Sequence, residues 1–367
     1  MSEANMLRGF IAGTIALAAT ALVTTGYAGS ATEGRAPTRG ETTAVHRALS
    51  EVPGTRGSPG VRTVRTRQPF SMIAVTWDGR APDRITARKW QDGRWSRWRE
   101  LAPLSVSGHG GASRSGPAGA SGAWWTGPSS EVRIRASRAG EYVTGELELV
   151  AITPGTGEPV RSEPGGRTAR PPVVTRAGWS ADESLMRWPP EYSATTRAAI
   201  VHHTVETNDY TCASSAEVVR GLYHYHAVEL GWGDIGYHAL VDKCGTIFEG
   251  RTDGLRRHVV GGHTKGFNGQ TFGVALIGNF QTAAPTESAL RSTGRIAGWK
   301  LGTVGRDPLG DTTLVSGGGK GNRYPEGTAV TLPRIFSHRD VGDTACPGDN
   351  VYARMDTIRQ ESVPAAT

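Results

Sequence analysis

The sequence predicts two folds in series, a small all-β sandwich-like domain followed by a mixed α/β domain, and three observations carry this. Residues 67–152 alternate apolar and polar positions in short runs rich in β-branched and aromatic residues, with no segment of helical period. Residues 176–362 interleave short apolar strands with amphipathic helices, the pattern of a central mixed sheet with flanking helices. Between them, residues 153–175, from Thr153-Pro154-Gly155 to Arg170-Pro171-Pro172, are rich in Pro, Gly and Arg and read as a linker.

Taken in order, the chain opens on Arg8, a mostly apolar run from Phe10 to Val23 and the small-residue exit Gly26-Tyr27-Ala28. That is the pattern of an export signal over 1–28, cleaved after Ala28, and it makes the protein secreted. The apolar run of about 14 residues falls short of the roughly 20 a spanning helix needs, so no stable membrane anchor is expected after cleavage. Glu3 sits poorly in a positive signal region, so Met6 rather than Met1 is the expected start. Residues 29–66 are rich in Gly, Arg, Thr, Ser and Pro without a sustained apolar period, and read as a flexible tether.

In the β-rich part, residues 70–78 form an apolar strand, and 84–90 alternate before an Asp92-Gly93 turn leads into Arg94-Trp95-Ser96-Arg97-Trp98, a hairpin. Residues 132–136 and 147–151 alternate again. Trp90, Trp95, Trp98, Trp124 and Trp125 either stack on flat ligands or fill the core; a module this small needs the burial, which favours the core. The interleaved arginines are equally consistent with a grip on a polyanion and with an ordinary solvated face.

In the α/β part a strand is expected at 197–201 and a helix at 214–230, with Ser214 and Glu217 as a capping box and Gly231 as its stop. Strands follow at 237–242, 246–249 and 272–278, then a helix at 286–301 that buries Leu290, Ala297 and Leu301. Residues 302–333 are Gly-rich and read as a surface excursion, before a strand at 334–337 and a last helix at 350–360.

The chain has 367 residues, 37% hydrophobic and 20% charged, which excludes a coiled coil and a membrane bundle. Its formal charge of +7 is uneven: residues 1–180 hold 23 Lys and Arg against 14 Asp and Glu, while 181–367 hold 18 against 20. Eight of the ten histidines lie after residue 200, which places the chemistry in the second half. The basic excess is diffuse and sits on an exported chain, so nucleic acid is not an expected partner.

His202 and His203 end an apolar strand, His338 follows Ile335-Phe336, and Cys346 lies eight residues further on. Two imidazoles and a thiolate leave the fourth position of a tetrahedral Zn2+ for water, the arrangement of a catalytic zinc site. Any one such histidine is more often a satisfied core residue; its coincidence with further motifs decides the reading. In a competing reading Cys346 is the nucleophile of a Cys/His hydrolase, but Pro347 follows directly, so no helix N-terminus is placed to lower its pKa.

Those motifs are IVHHT at 200–204, GWGDIGYH at 231–238, GTIFEGR at 245–251, GHTKGFN at 262–268, IGNF at 277–280, and SHRD at 337–340 with ACPG at 345–348. Over about 175–362 the sequence resembles the zinc-dependent N-acetylmuramoyl-L-alanine amidases of the type 2 and peptidoglycan recognition protein group, in particular secreted actinobacterial members. The resemblance implies that family's fold, one Zn2+ per chain held by His202, His338 and Cys346, and cleavage of the bond between N-acetylmuramic acid and L-alanine. It implies Tyr237 and Thr344 beside the metal as neutral donors to the developing oxyanion. Glu249 is the nearest general-base candidate by motif, and equally a structural ion-pair partner. His263, Thr264, Asn268 and Asn279 fall in blocks that line the family's substrate groove, although loop capping explains the two asparagines nearly as well.

With Cys346 given to the metal by the resemblance, Cys212 and Cys244 are expected to pair, closing a loop of about 30 residues worth on the order of 3 kcal/mol. The implied partner is peptidoglycan, glycan strand and stem peptide together, met outside the cell at the wall by a monomer. A recognition module that binds peptidoglycan with little hydrolysis is the alternative.

Overall fold

The computed structural model describes residues 41–104, 116–157, 160, 162–163, 170–205 and 207–363. The expected export signal and the first part of the tether lie outside the described residues. The N-terminal half is built from strands β1 Thr43–Ala48, β2 Val61–Trp77, β3 Arg84–Gln91, β4 Arg94–Trp95, β5 Arg99–Glu100, β6 Pro103–Leu104, β7 Gly119–Ser121, β8 Trp124–Arg138, β9 Glu141–Tyr142 and β10 Leu147–Thr153. All of their pairings are antiparallel, along the path β1-β10-β2-β8-β3-β4. The expected hairpin forms, with Asp92 and Gly93 both at positive φ (53° and 75°), as a two-residue turn matched to strand twist requires.

Alternation along the strands sends side chains two ways. Ile73, Val75, Ile85, Val132, Ile134 and Leu149 turn inward to fill the domain's own core. Met72, Ala74, Trp125, Val150 and Ile152 turn outward and are nonetheless buried, because the second half packs on them.

The second half contains β11 Ala198–His203, helix α1 Ser215–His224, β12 Ala239–Val241, β13 Ile247–Glu249, β14 Thr271–Leu276, α2 Glu287–Gly302, β15 Asp311–Val315, β16 Ala329–Pro333, β17 Ile335–Ser337, α3 His338–Val341, α4 Asp349–Tyr352 and α5 Met355–Gln360. Its sheet runs β13-β12-β14-β11-β17, parallel except for the β12–β13 pair. One face carries α2 and α5, with Leu290, Ala297, Leu301 and Ile358 against Val201, Val274 and Leu276. Leu290 and Leu301 are fully buried, each worth about 2 kcal/mol relative to exposure. The other face carries α1, whose Val218, Val219, Leu222 and Tyr223 join the outward residues of β2, β8 and β10 in one continuous core.

Several expectations are corrected. The tether is not a tether where it is described: Thr43–Ala48 pairs with β10 along its whole length, and Leu49 is fully buried. Alternation over only six residues is too short a signal to stand out in a Gly- and Arg-rich stretch. The linker is ordered at both described ends. Val174 bridges Phe248 in parallel, and Arg176 behind it is buried between Asp234 (3.0 Å) and Glu183 (2.7 Å).

The tryptophans divide, since Trp124 and Trp125 are buried while Trp90, Trp95 and Trp98 lie outside the core clusters. The capping box belongs to Thr211 and Ser214, around a 3-10 turn that precedes α1. After α1 the helix widens into a π-turn through Glu229 and stops at Gly231 (φ 65°). The last helix is two pieces, α4 and α5. The Cys212–Cys244 disulfide forms, Cα–Cα 6.3 Å across 32 residues, and ties the start of α1 to the β12–β13 turn.

Candidate metal centre

β11 and β17 are parallel neighbours, so their C-terminal ends meet at one edge of the sheet; β11 ends in His202-His203, and His338 directly follows β17. His202 is the fifth residue of β11 and almost wholly buried. Ser337, the last residue of β17, caps α3: its amide and hydroxyl both donate to the Asp340 carboxylate (2.8 and 2.9 Å), which fixes the first helical residue, His338. Arg339 then folds the following loop back, its guanidinium donating to Asp349 (2.8 Å) and to the Ala345 carbonyl, and its amide to the Cys346 carbonyl (3.0 Å). That return carries Cys346 under β11, with Sγ 3.6 Å from His202 Nδ1.

One ligand atom each from His202, His338 and Cys346 lie within 4.8 Å of one another, a group that could hold a metal ion. The fit can be tested on bond lengths: zinc–sulfur near 2.3 Å and zinc–nitrogen near 2.0 Å put the tetrahedral S···N edge at about 3.5 Å, close to the distance seen. The donor set is also electrically suited to a cation. Burial, and then the neighbouring His338, holds His202 far below the usual histidine range; burial holds His338 at about 4. Burial pushes the Cys346 thiol up to about 12, against the pull of the His203 amide, which donates to Sγ (3.3 Å). At neutral pH the site therefore offers neutral imidazoles and a thiol that a dication would convert to thiolate.

With Nδ1 of His202 turned to the cysteine, its Nε2 faces His263 Nδ1 (3.0 Å) and Thr264 Oγ1 (3.3 Å). His263 and Thr264 also line the pocket beside the centre, together with Trp232, Lys265, His338 and Thr344. Tyr237 stands over His202, ring centroids 5.3 Å apart. Thr344 Oγ1 accepts from the Cys346 amide (3.2 Å) and lies on the pocket wall. Of the expected site residues, then, the structure brings together His202, His338, Cys346, Tyr237, Thr344, His263 and Thr264.

Three are placed elsewhere. Asn268 Oδ1 accepts from the amides of His263 (2.9 Å) and Thr264 (2.8 Å), so it shapes the loop that holds them. Asn279 Oδ1 accepts from the Gln281 amide (3.0 Å), a turn. The Glu249 carboxylate accepts from the Arg176 amide (3.3 Å), the structural role that its motif allowed beside that of a base. Gly250 and Arg251 follow it, and such a motif does not tell a base from a structural acid. His238 is satisfied at both nitrogens, accepting from Gly273 N–H (2.9 Å) and donating to the Val259 carbonyl (2.8 Å).

Sequence reasoning missed Lys320. The 302–333 excursion folds against the site: Asn322 donates to the Lys265 carbonyl (3.0 Å), Gly317 to the Gly266 carbonyl (2.8 Å), and Lys320 joins the pocket wall. Only lysine's scarcity, five in the whole chain with two at this pocket, could have drawn attention to it.

Residues 192–349 match a family model described as N-acetylmuramoyl-L-alanine amidase, and residues 31–169 one described as Rv3811 N-terminal galactose-binding domain-like. The human protein named N-acetylmuramoyl-L-alanine amidase is 34% identical over 164 residues, 43% of this chain and 23% of its own length. Drosophila melanogaster peptidoglycan-recognition protein SC2 is 28% identical over 159 residues, 43% of this chain and 72% of its own. Among solved structures, wild-type Drosophila PGRP-LB matches at 23% identity and TM-score 0.40, covering 50% of this chain and 92% of that one. The chain thus spans less than a quarter of the length of the human relative.

Proposed function

Residues 192–349 are a domain of the N-acetylmuramoyl-L-alanine amidase family, and from that premise we propose that this chain is a secreted zinc-dependent peptidoglycan hydrolase. Its substrate is the amide between N-acetylmuramic acid and the L-alanine of the stem peptide. The observation that carries the reading is Cys346: a buried thiol 3.6 Å from an imidazole nitrogen completes a three-ligand centre beside an open pocket, where a module that only binds needs none.

When bound, zinc supplies Lewis acidity that polarises the scissile carbonyl and makes water a nucleophile near neutral pH. The chain's own residues do the rest. The His202 Nε2 proton is held toward His263 and Thr264, which fixes the ring so that Nδ1 faces inward. Tyr237, against the His202 ring, and Thr344, on the pocket wall, carry neutral hydroxyl donors suited to the oxyanion that grows as the carbonyl becomes tetrahedral. Lys265 and Lys320, against the single carboxylate of Asp343, give the pocket wall a net positive charge that suits the carboxylates of a stem peptide.

Purified cell wall is the substrate for the test, with release of stem peptide and new lactyl-linked sugar ends measured with and without chelator. Release that chelator abolishes and zinc restores is expected, together with one zinc per chain that is lost in Cys346→Ala. Release indifferent to chelator would overturn the metal assignment, and wall binding without release would make the protein a recognition module.

A further inference from the structure

The outer face of the N-terminal sheet carries a second feature that the amidase chemistry does not use. Arg88 on β3 and Arg133 on β8 are directly opposed, and Arg135 lies two residues along β8 from Arg133. The alternate residues Val132, Ile134 and Ala136 fill the core, so all three arginines point outward. Trp95 and Trp98, from the segment that pairs along the free side of β3, lie between them. The guanidinium of Arg135 stands 5.0 Å from the Trp98 ring, that of Arg88 4.6 Å from Trp98 and 5.3 Å from Trp95, and that of Arg133 4.2 Å from Trp95. The result is an alternating ladder of Arg135, Trp98, Arg88, Trp95 and Arg133.

Two physical facts set this apart from an ordinary solvated face. Stacking on an indole occupies the flat face of a guanidinium and leaves its edge to donate, so each arginine is held still; Arg133 spends its Nε–H on Thr63 Oγ1 (3.1 Å), which leaves its terminal nitrogens for a ligand. And no carboxylate among the described residues pairs with Arg88, Arg133 or Arg135: the nearby acids are engaged elsewhere, Glu131 by Arg65 (2.9 Å) and Glu100 by Arg84 (3.2 Å). Burial, and the charges of Arg133 and Arg135, all disfavour the Arg88 cation. Three clustered guanidiniums without a counter-ion are a repulsive arrangement that a bound anion relieves.

A carboxylate's two coplanar oxygens match the edge of one arginine fork, whereas a phosphate spreads its oxygens tetrahedrally and meets forks arriving from several directions. Beside the ladder, Trp90 packs edge-on against Trp95 (5.3 Å) and is 36% exposed, an apolar plate of the kind a sugar ring stacks on. We propose that the Arg135–Trp98–Arg88–Trp95–Arg133 ladder is a binding site for phosphate groups of a cell-wall glycan, holding the catalytic half on its substrate. The wall as the source rests on the amidase reading above; the phosphate chemistry rests on the ladder alone.

The test titrates dextran phosphate into the full chain and follows tryptophan fluorescence, with neutral dextran and carboxymethyl dextran of equal size as controls. Dextran phosphate is expected to bind at least tenfold more tightly than either control, and the affinity to fall as salt rises. The triple variant Arg88→Gln, Arg133→Gln, Arg135→Gln is expected to lose at least tenfold, with hydrolysis of a soluble muropeptide unchanged. Should the triple variant not fold, Arg135→Gln alone removes one end of the ladder and is expected to lose about threefold. Equal binding of carboxymethyl dextran, unchanged affinity in the variants, or no binding by the wild type overturns the proposal. Failure of muropeptide hydrolysis would refute the amidase reading and leave the titration fully readable.

Discussion

His263 sits at the centre of the site without being one of its expected ligands. It faces the same His202 nitrogen that Thr264 approaches, so its work is to orient a ligand. His263→Ala is expected to weaken zinc binding by about 10- to 100-fold in a competition against a chelator of known affinity, while the fold and its melting temperature change little. Tyr237→Phe and Thr344→Ala each remove one donor to the transition state and are expected to lower kcat by about 100-fold with KM nearly unchanged. Unchanged kcat in both variants would remove them from the mechanism. His202, His338 and Cys346 stood out in the sequence because metal chemistry restricts the residue types, and the resemblance chose His202 over the adjacent His203. Asn268, Asn279 and Glu249 were not separable there, since whether an amide or a carboxylate meets substrate or its own backbone depends on loop geometry.

At the scale of elements, α2 shows how a polar residue can belong to a core. Lys300, almost fully buried on its inner side, donates to the carbonyls of Gly254 (2.9 Å), Leu255 (3.0 Å) and Arg257 (2.6 Å), and so closes the turn after β13. Lys300→Met keeps the volume but strands three carbonyls, and is expected to cost about 3 kcal/mol in urea denaturation. A loss below about 1 kcal/mol would mean that water reaches the turn. The helical period of 286–301 marked Leu290, Ala297 and Leu301 correctly, but no periodicity predicts a lysine on the buried stripe. The 302–333 excursion was misjudged for a related reason. Glycine-rich sequence carries no pattern, and only its return onto Gly266 and Lys265 makes it a wall of the pocket.

Across the whole molecule, the two domains share a core and are clasped by polar contacts. Tyr225 donates to the Ser121 carbonyl (2.6 Å), and the buried Arg220 donates to the carbonyls of Gly155 and Trp179 (both 2.8 Å). His46 on β1 lies between Glu148 (3.5 Å) and Glu229 (3.2 Å), and Glu229 also meets His224 (3.0 Å). Hydrogen bonds to Glu148 and then Glu229 raise His46 from 6.5 to about 10, so its contribution is full below pH 6.5 and is lost as pH rises through 10. Burial raises Glu229, yet hydrogen bonds from His224 and His46 hold it at about 2, so its contribution is full above pH 4.5 and is lost as pH falls through 2. The melting-temperature gap between wild type and His46→Gln is therefore expected to be largest between pH 4.5 and 6.5 and to shrink toward pH 10. Its size stays small because His46 is nearly half exposed. A gap that grows with pH would refute the clasp.

The sequence by itself determined the two fold types and most of the strand and helix order of the second half, missing β15 and β16 in the Gly-rich stretch, because periodicity is a local property; it singled out His202, His338 and Cys346 as metal-type donors through the resemblance. Only the tertiary structure decided that the β domain is fused to α1 through Met72, Trp125, Val150 and Ile152. In sequence these look like the core of a sandwich, and which face of a strand meets which partner is fixed only when the two halves come together. The same holds for Trp95 and Trp98, which left the core for the arginine ladder once burial inside the sandwich was satisfied by others.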